Sequence, residues 1–298
     1  MIKHVTAALA LSLAMFGTAC SAQETAPDAT NPGAQDNNIP AEAWRKVDPE
    51  NLILIDTAYG VIGVELYPEV APAHVEQIKA LARSRFYDNV PFHRVIEGFM
   101  NQTGDGANGD GTGDSDLPDL KGHFTFRRGE DMPVTLIGVQ NEGGKKIDVG
   151  FYKALPVATQ PIAQAMLTAD GKVTAYGLHC KGVTSMARTN DPDSANSQFF
   201  LLRDKAGQLD KEYTIWGSTV MGQKLLNRIK VGTVGDEGFV PDQMNTVRVA
   251  ADLAEEDRPN VYVMKTNQPA FQTFLKTVQK SDGSYPDICD IAVPTKTE

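Results

Sequence analysis

The 298-residue chain has no cluster of lysine or arginine, and with 28 basic against 38 acidic side chains its formal net charge is −10. An acidic chain without a basic patch argues against nucleic acid and anionic membrane surfaces as partners. No apolar run beyond residue 22 is long enough to span a bilayer. There is no Gly-x-Ser-x-Gly elbow and no His-Glu-x-x-His, which removes two common hydrolytic designs. His179-Cys180 lacks a second ligand at metal spacing, so neither metal nor cofactor is expected. The stretch 104–113 is dense in Gly, Asp and Asn but lacks the Gly-Lys-Ser/Thr ending of a phosphate loop. Counted from Asp105, Ala107 and Gly109 break the alternating oxygen ligands of a calcium loop. A flexible surface loop is expected there. Cysteine is scarce, with three in all.

What is present begins with a leader. Lys3 and His4 precede an apolar run from Val5 to Phe16, and small residues follow from Gly17 to Ala22. This layout predicts a signal peptide over 1–22 and an exported, periplasmic protein. Gly17-Thr18-Ala19-Cys20 approximates a lipoprotein signal and favours lipidation of Cys20, although Gly17 stands where a leucine-like residue is usual. Ordinary cleavage after Ala19 or Ala22 is the alternative. Residues 23–40, rich in Ala, Pro, Asn, Asp and Gln, read as a flexible linker. Membrane contact is expected only through such a lipid anchor. Cys180 and Cys289 then remain as an even pair, either a disulfide in an oxidising compartment or two unrelated buried thiols.

Alternating and apolar runs predict a hairpin from Leu52–Asp56 and Val61–Leu66. Pro72 suits a first helical position, and Val75, Ile78, Leu81 and Ala82 form one helical face, with Glu76, Lys79 and Arg83 toward water. Further helices are predicted at Ile162–Leu167, Met221–Lys230 and Gln268–Lys280, the last with a core-facing stripe of Phe271, Phe274, Leu275 and Val278. A strand pair, an amphipathic helix and short aromatic-rich strands between Gly turns fit a small helix-capped barrel.

Two segments carry most of the chemistry. The first runs Phe92-His93-Arg94-Val95-Ile96-Glu97-Gly98-Phe99-Met100-Asn101-Gln102-Thr103-Gly104-Asp105. The second comprises Thr184-Ser185-Met186-Ala187 and Asn196-Ser197-Gln198-Phe199-Phe200. Together they resemble the signature segments of the cyclophilin-type peptidyl-prolyl cis-trans isomerases, and the resemblance covers roughly residues 51–253. It implies a mainly β fold: a closed, antiparallel, eight-stranded barrel capped by two α-helices. This domain would occupy 41–253, with an insertion at about 124–180 packed on the barrel and a C-terminal helical extension over 254–298.

The resemblance implies Arg94 and Gln102 as catalytic residues. Phe99, Met100, Ala187, Gln198, Phe200, Leu209 and Tyr213 would bind a proline-containing polypeptide. Taken alone, His93 reads as a satisfied barrel histidine. Three positions depart from the family pattern. Gln208 replaces a frequent tryptophan, which implies weak cyclosporin sensitivity. Tyr213 stands where histidine is common, and Arg188 replaces an asparagine. The implied function is isomerisation of X-Pro bonds in exported clients; a proline-peptide-binding chaperone or envelope protein with weak or no catalysis is the alternative.

Overall fold

A computed structural model describes residues 39–298; the predicted leader, Cys20 and residues 23–38 of the linker lie outside the described residues. In chain order the elements are β1 (Trp44–Lys46), β2 (Leu52–Thr57), β3 (Gly60–Leu66), α1 (Pro72–Arg83), β4 (Val90–Pro91), β5 (Arg94–Ile96) and β6 (Met100–Thr103). Then come β7 (Phe126–Arg128), β8 (Thr135–Glu142), β9 (Lys145–Tyr152), β10 (Leu155–Thr159) and β11 (Val173–Gly177). Next are β12 (Val183–Met186), β13 (Phe199–Leu202), β14 (Ile215–Met221), β15 (Gly232–Thr233), β16 (Gln243–Met244) and β17 (Thr246–Val249). β18 (Val261–Met264), α2 (Pro269–Val278) and β19 (Thr295–Thr297) come last.

Leu52-Ile53-Leu54-Ile55 and Phe199-Phe200-Leu201-Leu202 are unbroken apolar runs, and such strands need cover on both faces. They receive it. Ile53, Ile55, Phe199 and Leu201 point into an inner core with Val75, Ile78, Leu81 and Trp216. Leu52, Leu54, Phe200 and Leu202 belong to an outer core with Phe151, Leu155, Val157, Val263, Phe271 and Leu275. The main sheet between them is antiparallel, in the order β15-β5-β6-β13-β12-β14-β3-β2-β17.

The fold is the mainly β one expected, but the curled sheet is open. It has nine strands, and its edges β15 and β17 do not pair with each other. The ribbon of β4 and β16 lies between the edges. Phe92 N–H donates to Asp242 O at 2.9 Å, Val234 N–H to His93 O at 2.8 Å, and Asn245 N–H to Asp56 O at 2.8 Å. Pro91 has no N–H to give a continuous ladder at this seam.

The helix α1 starts at Pro72 and buries Val75, Ile78, Leu81 and Ala82. Lys79 is buried rather than exposed, and its ammonium lies 3.1 Å from Glu50 and 2.8 Å from Glu76. Its aliphatic stem covers apolar surface while carboxylates meet the charge. The second cap expected as an α-helix is a 3-10 helix, Gln223–Arg228, entered through Gly222 at φ 72°. Ile162–Leu167 is likewise 3-10, the form that short connectors take. The second α-helix, α2, belongs to the C-terminal segment and buries Phe271 and Leu275.

Residues between β6 and β12 build a second sheet, ordered β7-β11-β10-β9-β8. Its apolar side merges with the outer core, where Phe151 meets Phe271 edge-on at 5.8 Å. β1 and β19 flank β18, and Val261, Val263 and Met264 of β18 enter the same core. Arg45 of β1 donates twice to the buried Glu65 carboxylate of β3, at 2.6 and 2.7 Å. A disulfide joins Cys180 to Cys289 and ties the C-terminal segment to the start of β12.

Candidate active site

Strand register assembles the first part of the site. Arg94 of β5 stands opposite Gln102 of β6, and Gln102 stands opposite Phe200 of β13. Opposed residues on antiparallel strands share a face. A short turn at Gly98, φ 65°, closes the β5–β6 hairpin and sets this register. The Arg94 guanidinium is exposed and donates from Nη1 to Gln102 Oε1 at 3.2 Å. Gln102 Nε2 donates to Gln198 Oε1 at 3.3 Å. Gln198 Nε2 in turn donates to the Gly111 and Gly113 carbonyls, each at 3.0 Å. Each amide accepts at one end and donates at the other, so one orientation satisfies the whole chain.

Beside this polar row lies an apolar patch. Met100 and Phe200 are buried, while Phe99, Ala187, Leu209 and Tyr213 are partly exposed and pack on the same core. Phe200 and Tyr213 meet edge-on, ring centres 5.8 Å apart. The structure thus gathers all nine candidate catalytic and binding residues on the outer side of β5, β6, β12 and β13 and the adjoining loop 206–213. Gln208 is exposed on the 3-10 turn Gly207–Leu209. Arg188 does not reach out as a free charge. Its Nε donates to Glu212 O at 3.0 Å, its Nη1 to Thr189 O at 2.8 Å, and its guanidinium lies 4.5 Å from the Tyr213 ring centre.

The loop expected to be flexible is instead organised around Asp105. Its carboxylate accepts from the backbone N–H of Ala107, Asn108, Asp110, Gly111 and Gly113, at 2.8 to 3.2 Å. Burial opposes the charge, but these donors outweigh it and hold the carboxyl at about 2, below its usual 3.8. Gly111, at φ 93°, leaves no space for a side chain, since a Cβ there would meet the His93 ring at 2.9 Å. An aspartate at the head of a glycine-rich run was the available signal for such a nest of N–H groups. His93 is buried, yet neither ring nitrogen has a hydrogen-bond partner among the described residues, so it is not the satisfied histidine expected. Burial pushes its pKa down, against the upward pull of Asp105 and Asp110.

Comparison with known proteins identifies the family. The family model for cyclophilin type peptidyl-prolyl cis-trans isomerases matches residues 52–250. A probable peptidyl-prolyl cis-trans isomerase of Brucella suis is 32% identical over 217 residues, covering 69% of this chain and 85% of that protein. Peptidyl-prolyl cis-trans isomerase-like 3 of Gallus gallus is 28% identical over 197 residues, covering 66% of this chain and 91% of its own. The crystal structure of a cyclophilin from Hirschia baltica is similar at a TM-score of 0.76 and 38% identity, covering 85% of this chain and 93% of that one. That overlap is longer than residues 52–250, so the likeness extends beyond the stretch that the family model matches. The chain belongs to the cyclophilin-type peptidyl-prolyl cis-trans isomerases, a family of enzymes.

Proposed function

We propose that the protein rotates X-Pro bonds in exported polypeptide clients, non-covalently, with Arg94 lowering the barrier. Amide resonance sets that barrier at about 18–20 kcal/mol. At the twisted geometry the prolyl nitrogen becomes pyramidal and its lone pair localises. A donor aimed at this nitrogen binds the transition state more strongly than the ground state, and that difference accelerates rotation. Arginine suits the task because it is permanently charged and planar and carries several donors. Phe99, Met100, Phe200 and Leu209 would hold the proline ring, Gln102 and Gln198 the peptide backbone, and Ala187 would leave room for the chain. No nucleophile, metal or cofactor enters.

The observation that carries this reading is the hydrogen-bonded row Arg94–Gln102–Gln198 beside the apolar patch around Phe200. Its test is isomerisation of a short proline peptide by the parent and by Arg94→Ala. Fast turnover abolished by the substitution supports the proposal. A folded but inactive parent would turn the reading to a proline-peptide-binding chaperone. Export rests on the leader, and a lipid anchor on Cys20. Mass spectrometry of the mature N-terminus decides between a lipidated cysteine and a free end.

A further inference from the structure

One residue outside the signature segments grips both ends of the loop that forms a wall of the groove. Ala206 N–H donates to the His179 carbonyl at 2.8 Å. Four residues on, the Asp210 carboxylate accepts from the His179 backbone N–H at 2.8 Å and lies 2.9 Å from its ring Nδ1. A carboxylate only accepts, so Nδ1 carries the proton in this contact. Between these two clips sit Gly207, Gln208 and Leu209. The grip passes onward, because Tyr213 N–H donates to Leu209 O at 3.2 Å. The His179 side chain is fully buried, and its ring lies near-parallel to Phe200, centres 6.5 Å apart. His179 therefore touches, directly or through one bond, the floor residue Phe200 and the loop bearing Leu209 and Tyr213.

We infer that His179 and Asp210 are positioning residues of the isomerase groove, fixing the Leu209–Tyr213 wall at the distance from Phe200 that a proline ring needs. This rests on the proposed X-Pro chemistry and deepens it. The His179 side chain is fully buried and so acts through its neighbours rather than on substrate. Its Nε2 is buried with no hydrogen-bond partner among the described residues, so the ring's polar contact is spent on Asp210. A wall that holds the ring equally in ground and transition states contributes uniform binding, which appears in KM rather than in kcat.

The test is steady-state isomerisation of a proline peptide by the full chain, measured for the parent, Asp210→Ala, Asp210→Asn and His179→Phe. Asp210→Ala removes both bonds, and KM should rise about tenfold or more with kcat nearly unchanged, the loss expected from charge-assisted hydrogen bonds. Asp210→Asn keeps an oxygen for the His179 backbone N–H and should recover most of that loss. His179→Phe keeps the ring against Phe200 but loses the Nδ1 donor, and should give a smaller rise in KM. It also serves if Asp210→Ala fails to fold. An unchanged KM in the folded variants overturns the inference, as does a loss confined to kcat. An inactive parent instead overturns the isomerase reading on which it rests.

Discussion

Gln198 accepts a hydrogen bond from Gln102 at 3.3 Å while its own amide nitrogen spans the Gly111 and Gly113 carbonyls. The partner of Arg94 is thereby tied to a loop that is itself wrapped around Asp105. Substituting Gln198 by alanine should free the Gln102 amide to turn. The expected result is a fall in kcat/KM of about tenfold, the size of one or two lost hydrogen bonds, in a peptide isomerisation assay.

Arg94→Ala removes an exposed side chain, so thermal unfolding should stay close to the parent. The same variant should lose about 10²–10³-fold in kcat/KM, by analogy with removal of a preorganised donor to developing charge. Turnover with parental kcat/KM in a well-folded sample would show that the chemistry lies elsewhere.

Asp105 predicts an acid-sensitive loop. Its folded pKa, about 2, lies below the usual 3.8, so the folded state favours the carboxylate. That stabilisation is complete above about pH 3.8 and is lost as pH falls toward 2. Denaturant midpoints of the parent and Asp105→Asn should differ most above pH 4 and converge toward pH 2. A difference independent of pH would contradict this account.

His74 acts in a neighbouring window. Burial, with a smaller push from His123, lowers its pKa from 6.5 to about 4. The unfolded chain takes up this proton first, so stability falls as pH drops from 6.5 toward 4 and levels off below. His74→Leu should flatten that part of the urea-midpoint profile. An unaltered slope would assign it to other groups.

The Cys180–Cys289 disulfide closes a loop of 109 residues in sequence separation. Replacing both cysteines by alanine should cost about 2–4 kcal/mol in denaturant unfolding under oxidising conditions. Parental stability in the double variant would show that α2 and β18 hold the C-terminal segment without help.

Several elements were legible because their pattern is local. Val75, Ile78, Leu81 and Ala82 announce α1 by spacing alone, and Phe271 and Leu275 announce α2. Arg94, Phe99, Met100 and Gln102 lie within nine residues, so one hairpin suffices to bring them together. Lys79 read as solvent-facing because Glu76 alone is visible from helix spacing, and its second carboxylate partner, Glu50, lies 29 positions away. The loop after Asp105 read as loose because glycine and aspartate mark turns; an aspartate heading a glycine-rich run hints at a nest, but only the folded backbone shows that five N–H groups converge on that carboxylate.

By itself the sequence determined the β character, the helix faces and the apolar strands, which follow from side-chain period that each segment carries alone. The groove residues came from the resemblance of two separated segments to a known family, not from period or composition. Only the tertiary structure decided that the curled sheet stays open between β15 and β17, that residues between β6 and β12 fold as a second sheet sharing the outer core, and that His179 clasps loop 206–210 through Ala206 and Asp210. Those contacts join residues far apart in the chain. Their energy depends on distances that topology sets, and a linear pattern does not encode them.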